Sequence, residues 1–138
     1  MNFDMTKPVP EVQPWSARFW EGTREGKFLI QTCGDCGSKI FYPRKYCPEC
    51  WSGNLGWMQA SGNAKIFSFS TAYSMVEPKF MDELPYTIAY VDLEEGIRMM
   101  TRIVECDPAA IKIGMDVEVV FFKREDFHLP YFRPVKIA

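Results

Sequence analysis

The sequence lacks any apolar run approaching the roughly 20 residues that a membrane-spanning helix needs. Its start, Met1-Asn2-Phe3-Asp4, also lacks the basic segment followed by an apolar one that is typical of a secretory signal. We therefore expect a cytoplasmic protein. Its 138 residues suffice for one ordinary domain or two very small ones, so we do not expect a large multidomain enzyme.

Clustered positive charge is lacking as well. Residues 1–60 carry 7 Lys and Arg against 6 Asp and Glu, residues 61–138 carry 9 against 12, and the formal net charge is −2. Nucleic-acid phosphates are bound by clustered Lys and Arg side chains. The acidic balance of the second half therefore argues against a nucleic-acid-binding protein.

Aromatic residues, by contrast, are plentiful. The chain has 11 Phe, 6 Tyr and 4 Trp, which together make 15% of its residues. A core of this size does not hide so many large rings comfortably. We expect some of them to contact a partner or a ligand.

Four of the five cysteines form two Cys-x-x-Cys pairs, Cys33 with Cys36 and Cys47 with Cys50, separated by ten residues. This is the spacing of a metal site. The two-residue gap in each pair lets a tight turn aim both sulfurs at one point, and the ten-residue excursion can bring the second turn against the first. The spacing predicts a tetrahedral cage of four thiolates.

The residues around the pairs fit tight turns. Gly34 and Gly37 suit backbone positions that need a positive φ, and Pro48 fixes φ inside the second turn. Trp51, rather than a glycine, follows the second pair. We expect Trp51 to cover the metal site on one side.

Zinc is the usual occupant of such a site, although two alternatives have to be weighed. Two disulfides would need an oxidising compartment, which the missing secretory signal argues against. An iron–sulfur cluster or a rubredoxin-like mononuclear iron uses the same thiolates, and ligand spacing does not separate iron from zinc. Four protein ligands leave no position for water or substrate. We therefore expect one structural Zn²⁺ per chain that folds a segment too short to fold alone.

The N-terminal region reads as an arm followed by an aromatic helix. Residues 1–13 predict an extended arm, and a helix of about three turns is predicted from Pro14 to a stop at Gly26. Its apolar face is strongly aromatic. This face either packs on the rest of the chain or docks on a partner, and the candidate docking residues are Trp15, Phe19 and Trp20.

The remaining pattern is mainly β. Strands predicted around the metal turns cover residues 27–32, 40–44 and 55–59, and five more cover 65–75, 86–93, 97–104, 115–122 and 131–137. A helical turn at residues 107–111 separates the third and fourth of those five. This order predicts a small five-stranded barrel of the OB type, with a flat sheet packed on the ribbon as the alternative. The expected division is an arm and helix at 1–30, a zinc ribbon at 31–60 and an OB-fold domain at 61–138.

These motifs together resemble one family. The segments Cys33-Gly-Asp-Cys36-Gly37, Tyr42-Pro43-Arg44 and Cys47-Pro48-Glu49-Cys50, preceded by Phe19-Trp20-Glu21-Gly22 and followed by the OB-like half, resemble the DUF35 family over roughly residues 14–138. The resemblance implies an N-terminal helix, a rubredoxin-like zinc ribbon and a C-terminal OB fold. It also implies an accessory subunit of an acyl-CoA enzyme complex. Such a subunit binds a thiolase-superfamily catalytic subunit, or a hot-dog-fold hydratase, and helps to shape or bridge the acyl-CoA site.

The inventory of reactive side chains agrees with a non-catalytic role. A thiolase needs an activated cysteine with histidine partners, and this chain offers one spare thiol, Cys106, and one imidazole, His128. No third group that would orient such a pair is identifiable. We expect the chemistry to reside in the partner, with a coenzyme A thioester bound at the interface.

Three segments supply candidate contacts to coenzyme A or to the partner. Arg44 and Lys45 lie between the metal turns and either meet phosphates or remain a solvated pair. The stretch 127–134 predicts a stiff apolar loop, whose Tyr131, Phe132 and Arg133 either contact a partner or close the barrel bottom. The loop 76–85 carries Phe80 and Met81, which either insert into a neighbour or fold over the barrel rim.

Two rival functions remain. A nucleic-acid-binding protein could stack bases on Phe67, Phe69 and Tyr73, but the barrel half is acidic and no stripe of Lys or Arg accompanies these aromatics in the sequence. A rubredoxin-like electron carrier would need iron and would not need the barrel.

Overall fold

The computed structural model describes residues 6–135, which form one α-helix, eight strands and two short 3₁₀ helices. Their bounds are α1 Ala17–Arg24, β1 Leu29–Cys33, β2 Lys39–Ile40, β3 Leu55–Gln59, β4 Asn63–Ala72, β5 Tyr86–Leu93, β6 Arg98–Ile103, β7 Asp116–Arg124 and β8 Phe127–Pro134. The 3₁₀ helices are Pro78–Glu83 and Pro108–Ala110. Among residues 6–135, no helix has the length and hydrophobicity of a transmembrane segment.

Helix α1 is shorter than predicted, with eight residues and therefore about two turns. Residues 14–16 form a turn instead of helix, because the Ser16 side chain accepts a hydrogen bond from the Gln13 amide and the Ser16 amide donates to the Gln13 carbonyl. Of the predicted arm, residues 6–13 have no helix or strand, and residues 1–5 lie outside the described residues.

The metal turns are carried by a three-stranded antiparallel sheet in the order β2-β1-β3. The prediction of a strand over 40–44 is wrong, since β2 ends at Ile40. The following loop is held by a buried side chain. Gln31 Nε2 donates to the Arg44 carbonyl at 2.9 Å, and the Arg44 amide donates to Gln31 Oε1 at 2.7 Å. These two hydrogen bonds satisfy the backbone amide and carbonyl of Arg44, which would otherwise need a partner on a neighbouring strand.

The C-terminal half is a closed barrel in the order β4-β5-β6-β8-β7, which confirms the OB-type prediction. The last strand lies earlier than predicted. It is Phe127–Pro134, so the segment predicted as a stiff loop is itself a barrel strand. The reason is a hairpin that the sequence did not signal: β8 pairs with β7 from Arg124↔Phe127 to Val117↔Pro134, and Glu125 turns the chain with φ +53. Residues 136–137 of the predicted strand lie outside the described residues.

One core joins the helix, the ribbon and the barrel. Phe19 of α1, Phe28 before β1 and Phe132 of β8 belong to the same buried cluster, and the Phe28 and Phe132 ring centroids are 6.2 Å apart. The outer face of the barrel retains large exposed rings, Phe67 and Phe69 among them, while Ile66 of β4 is buried. Because one core is shared, loss of ribbon structure would also remove packing from the barrel.

Candidate metal centre and neighbouring cleft

The four paired cysteines converge on one point. Their sulfurs all lie within 4.8 Å of one another, with Cys33 Sγ and Cys50 Sγ 3.5 Å apart and Cys36 Sγ and Cys47 Sγ 3.6 Å apart. A tetrahedron of thiolates at the usual zinc–sulfur distance has edges of about 3.8 Å. The arrangement therefore fits a tetrahedral Zn²⁺ with four protein ligands. Such a site has no open position and supplies folding energy rather than chemistry.

Backbone amides stabilise the sulfurs. The Cys36 amide donates to Cys33 Sγ and the Glu49 amide to Cys47 Sγ, both at 3.4 Å. A hydrogen bond of 3.1 Å joins Cys36 Sγ to the Ser38 hydroxyl. This bond and the Ser38 amide lower the pKa of Cys36 to about 6. A thiol that loses its proton readily is a better metal ligand, because the thiolate is the ligand form.

The two Cys-x-x-Cys turns have matching backbones. Gly37 donates its amide to the Cys33 carbonyl and Trp51 to the Cys47 carbonyl, each at 2.9 Å, and their φ angles are +77 and +65. Trp51 thus occupies a left-handed position that disfavours residues other than glycine. Its side chain is 79% exposed, so the expectation that it covers the metal site is wrong.

Hydrogen bonds that were not predicted from the sequence connect the first Cys-x-x-Cys turn to the segment that follows the second turn. The Asp35 carboxylate accepts hydrogen bonds from the Ser52 hydroxyl and from Asn54 Nδ2, and the Gly34 amide donates to the Asn54 carbonyl at 2.8 Å. A Cβ on Gly34 would lie 2.6 Å from Asn54 Nδ2. The close approach of Asn54, and not a positive φ, therefore favours glycine at position 34.

A cleft of about 520 Å³ lies beside the ribbon, between α1, the loop after β2 and the barrel strands β6 and β8. We call it the junction cleft. Its walls are mostly apolar and include Trp15, Trp20, Phe41, Met100, Leu129 and Pro130. Strands β6 and β8 pair at one position only, Ile103↔Phe132. Where β6 and β8 are not paired, other groups bond to β6 or β8. The Met100 amide donates to the Tyr42 hydroxyl at 2.9 Å, and the Thr101 hydroxyl donates to the Pro130 carbonyl at 2.8 Å.

A charged cluster, here called the Glu83 cluster, adjoins the junction cleft. Glu83 accepts from Arg102, from Arg124 at 2.9 Å and from Lys7 at 2.6 Å, and the Glu83, Arg102 and Arg124 side chains are only 17%, 16% and 11% exposed. Burial by itself raises the pKa of Glu83. Hydrogen bonds from Lys7 and Arg102, and the charges of both arginines, outweigh burial and hold this pKa below its ordinary value.

The structure corrects two of the predicted contact residues. Phe19 is 2% exposed and Phe132 is fully buried, so both are core residues and neither is available to a partner or to coenzyme A. Trp20 is partly buried and packs edge-to-face on Phe127 with ring centroids 5.3 Å apart. Trp15 remains partly exposed and lines the junction cleft.

The other predicted contact residues lie in three places. Arg133 donates to Glu118 and Glu105 at 3.0 and 3.1 Å, so ion pairs within the chain already engage it. Phe80 and Tyr131 flank the Glu83 cluster. Arg44 and Lys45 lie on the ribbon loop and are exposed, with Lys45 Nζ 5.6 Å from the centre of the Tyr46 ring.

The environment of Cys106 does not support a role for this thiol as a nucleophile. Burial and the neighbouring Asp107 charge raise the pKa of Cys106, whereas an activated cysteine has a lowered pKa. One arginine does lie beside the aromatic residues considered for base stacking: the Arg98 guanidinium is 3.4 Å from the centre of the Phe67 ring. Arg98 is, however, paired with Asp92 through two hydrogen bonds, which reduces the positive charge that it offers to phosphates.

Comparison with known proteins agrees with this architecture. A family model described as the ChsH2 rubredoxin-like zinc ribbon domain matches residues 20–56, and one described as the ChsH2 C-terminal OB-fold domain matches residues 57–122. A DUF35 domain-containing scaffold protein of Methanothermobacter thermautotrophicus is 44% identical over 92 residues, 66% of this chain and 68% of that protein. The chain belongs to the DUF35 family.

Several relatives of this DUF35 chain carry enzyme-complex names. A protein of Thermomonospora curvata named as a probable enoyl-CoA hydratase alpha subunit is 32% identical over 93% of this chain, which spans 40% of that relative's length. A benzoylsuccinyl-CoA thiolase subunit of Thauera aromatica is 29% identical over 63% of this chain and 58% of that protein. A solved chain of an Ltp2-ChsH2(DUF35) aldolase is 31% identical with a TM-score of 0.81, covering 91% of this chain and 98% of the other.

Proposed function

We propose that this DUF35 chain is a non-catalytic accessory subunit that docks on a thiolase-superfamily catalytic subunit and helps to form its acyl-CoA site. The accessory role rests on the similarity to a chain of the Ltp2-ChsH2(DUF35) aldolase, which extends over nearly the whole of both chains. The similarity to a benzoylsuccinyl-CoA thiolase subunit supports a thiolase-type partner. The raised pKa of the spare thiol Cys106 supports a non-catalytic role.

In this proposal Zn²⁺ is structural and bound by Cys33, Cys36, Cys47 and Cys50, one ion per chain. Trp51 and Tyr46, the exposed aromatic residues next to Cys50 and Cys47 along the chain, form the docking tip of the ribbon. Trp15 extends the docking surface from the N-terminal end of α1. The barrel lies near the coenzyme A entrance, and Arg44 and Lys45 of the ribbon loop meet the phosphates.

The Trp51→Gly variant tests the docking role of Trp51 without disturbing the fold of the ribbon. Because Trp51 already has the backbone conformation of the matching Gly37, the variant relieves strain of about 1 kcal/mol, offset by the greater entropy of glycine in the unfolded chain. We expect zinc content and melting temperature to stay close to wild type, while affinity for the catalytic subunit falls about tenfold or more. Calorimetric titration and thermal unfolding measure the two effects.

Glu125→Gly is the matched control. Glu125 also has a positive φ and is exposed, but it turns the β7–β8 hairpin in the barrel half. It should leave complex affinity unchanged. Equal affinity of wild type and Trp51→Gly for the catalytic subunit would remove the ribbon tip from the docking surface.

The proposed function is tested by purifying the tagged chain from its own host, with metal analysis and mass identification of co-eluting proteins. We expect a stoichiometric thiolase-like protein, about one zinc per chain, thiolysis or a related acyl-CoA reaction in the complex, and none from the isolated chain. Turnover by the chain alone, or elution without a partner or with nucleic acid, would refute the accessory role.

A hot-dog-fold acyl-CoA hydratase is the second candidate partner. The name of the Thermomonospora curvata relative, a probable enoyl-CoA hydratase alpha subunit, favours it. A hydratase in the eluate, with hydration of an enoyl-CoA, would keep the accessory role and replace the thiolase by a hydratase.

A further inference from the structure

The junction cleft has the size and composition of a small-molecule site. Its volume of about 520 Å³ lies within the range of about 300–1,000 Å³ of ligand pockets, and it is formed where the helix, the ribbon and the barrel meet. Trp15, Trp20 and Phe41 supply rings on one side, and Met100 and Leu129 belong to the barrel strands on the other. These surfaces would shield an apolar body from water.

The cleft has few polar groups, and some of them already form hydrogen bonds within the chain. The Tyr42 and Thr101 hydroxyls already have partners within the chain. Two charged residues line the cleft, Glu11, which is exposed, and Arg102, which is largely buried. Arg102 is therefore the charged group best placed to orient a ligand.

Arg102 connects the cleft to an excess of positive charge in the Glu83 cluster, although it also lines a second cavity, which Glu83 and Tyr86 share. Arg102, Arg124 and Lys7 all pair with Glu83, and the other carboxylate that pairs with these three in the described part of the chain, Asp82, is 71% exposed. Two largely buried guanidinium groups thus share one largely buried carboxylate. A second anion at Arg102 would offset the remaining charge, because buried charges are stable when they are paired.

We propose that the junction cleft binds a small amphipathic anion, with its apolar body between the aromatic side chains of the cleft and Met100 and its acidic group at Arg102. A carboxylate and a phosphate monoester share the required chemistry. This site lies within the chain and does not depend on which catalytic subunit it joins. If the cleft binds no anion, the proposed accessory role is unaffected. If the chain has no catalytic partner, the proposed ligand site in the cleft is unaffected.

Calorimetric titration of the zinc-loaded full chain with octanoate, octyl phosphate and 1-octanol tests the proposal. We expect at least one of the two anions to bind at least tenfold more tightly than the alcohol, since one charge-assisted hydrogen bond supplies that difference. The preferred anion identifies the acidic group. Failure of both anions to bind, or equal binding of anions and alcohol, would overturn the proposal.

Three variants localise the site. Arg102→Met keeps Glu83 paired with Arg124 and Lys7, and it should reduce anion affinity to that of the alcohol. Arg98→Met is the control, because Arg98 lies on the same strand but pairs with Asp92 outside the cleft, and it should bind like wild type. Met100→Phe replaces a flexible side chain in the cleft wall by a rigid ring at a half-exposed position and should weaken binding of all three ligands. Wild-type affinity in Arg102→Met or in Met100→Phe would place the ligand elsewhere and refute the site.

Discussion

Replacing Cys33 or Cys47 by Ser is expected to abolish zinc binding and to unfold the ribbon. Both sulfurs are buried and each belongs to a different turn, so either change leaves three ligands and removes the closed site. Structural zinc sites contribute about 10–16 kcal/mol to folding, which a ribbon with so few buried residues cannot replace. Metal analysis should fall from about one zinc per chain to near zero, with loss of soluble protein.

The damage should extend beyond the ribbon because Phe28 packs against Phe132 of the barrel. A chelator should reproduce the effect in the wild-type chain. Cys106→Ser is the matched control, since Cys106 lies outside the cluster, and it should keep its zinc and its melting temperature. Full zinc content in both Cys33→Ser and Cys47→Ser would refute the structural metal site.

Replacing Glu83 by Gln is expected to lower the free energy of unfolding by about 2 kcal/mol. The change leaves two largely buried guanidinium groups without their shared counter-charge. Breaking a fully buried pair costs about 3–5 kcal/mol, and the smaller value reflects the residual exposure of Glu83. Chemical denaturation at pH 7 measures the change. Asp82→Asn, which affects an exposed carboxylate beside Lys7, should change stability by less than about 0.5 kcal/mol.

The contribution of Glu83 to stability is expected to depend on pH. Because the pKa of Glu83 is lower in the folded chain than its ordinary value of 4.5, its contribution is complete above pH 4.5 and is lost as the pH falls through the folded value. The stability difference between wild type and Glu83→Gln should therefore shrink as the pH is lowered below 4.5. A difference that stays constant from pH 7 to pH 3 would show that Glu83 does not stabilise the fold through its charge.

The metal centre was predictable because its geometry is local. Two residues between paired cysteines fix how a turn presents its sulfurs, so the spacing predicted the cluster of Cys33, Cys36, Cys47 and Cys50. The five-stranded barrel was predictable for a similar reason, since alternating patterns and turn residues act over a few positions. The choice of zinc over iron rests on usual occupancy alone, because four thiolates bind either metal.

Which aromatic residues are exposed was not predictable in the same way. Phe19 and Phe132 carry the same apolar signal as Trp15 and Trp51, yet the first two are core and the last two are exposed. Burial depends on which surfaces meet when the helix, ribbon and barrel pack together, and the pattern of one segment does not contain that information. The position of β8 also depended on its pairing with β7.

By itself, the sequence determined the zinc ribbon, the presence of a short aromatic helix and the barrel class, because each depends on contacts between residues close along the chain. Only the tertiary structure decided the Glu83 cluster and the junction cleft. Lys7, Glu83, Arg102 and Arg124 come from four separate segments and meet only after the barrel closes. Distant charges and cavity walls leave no periodic signal in a sequence, so the groups best placed to bind a ligand became visible only in three dimensions.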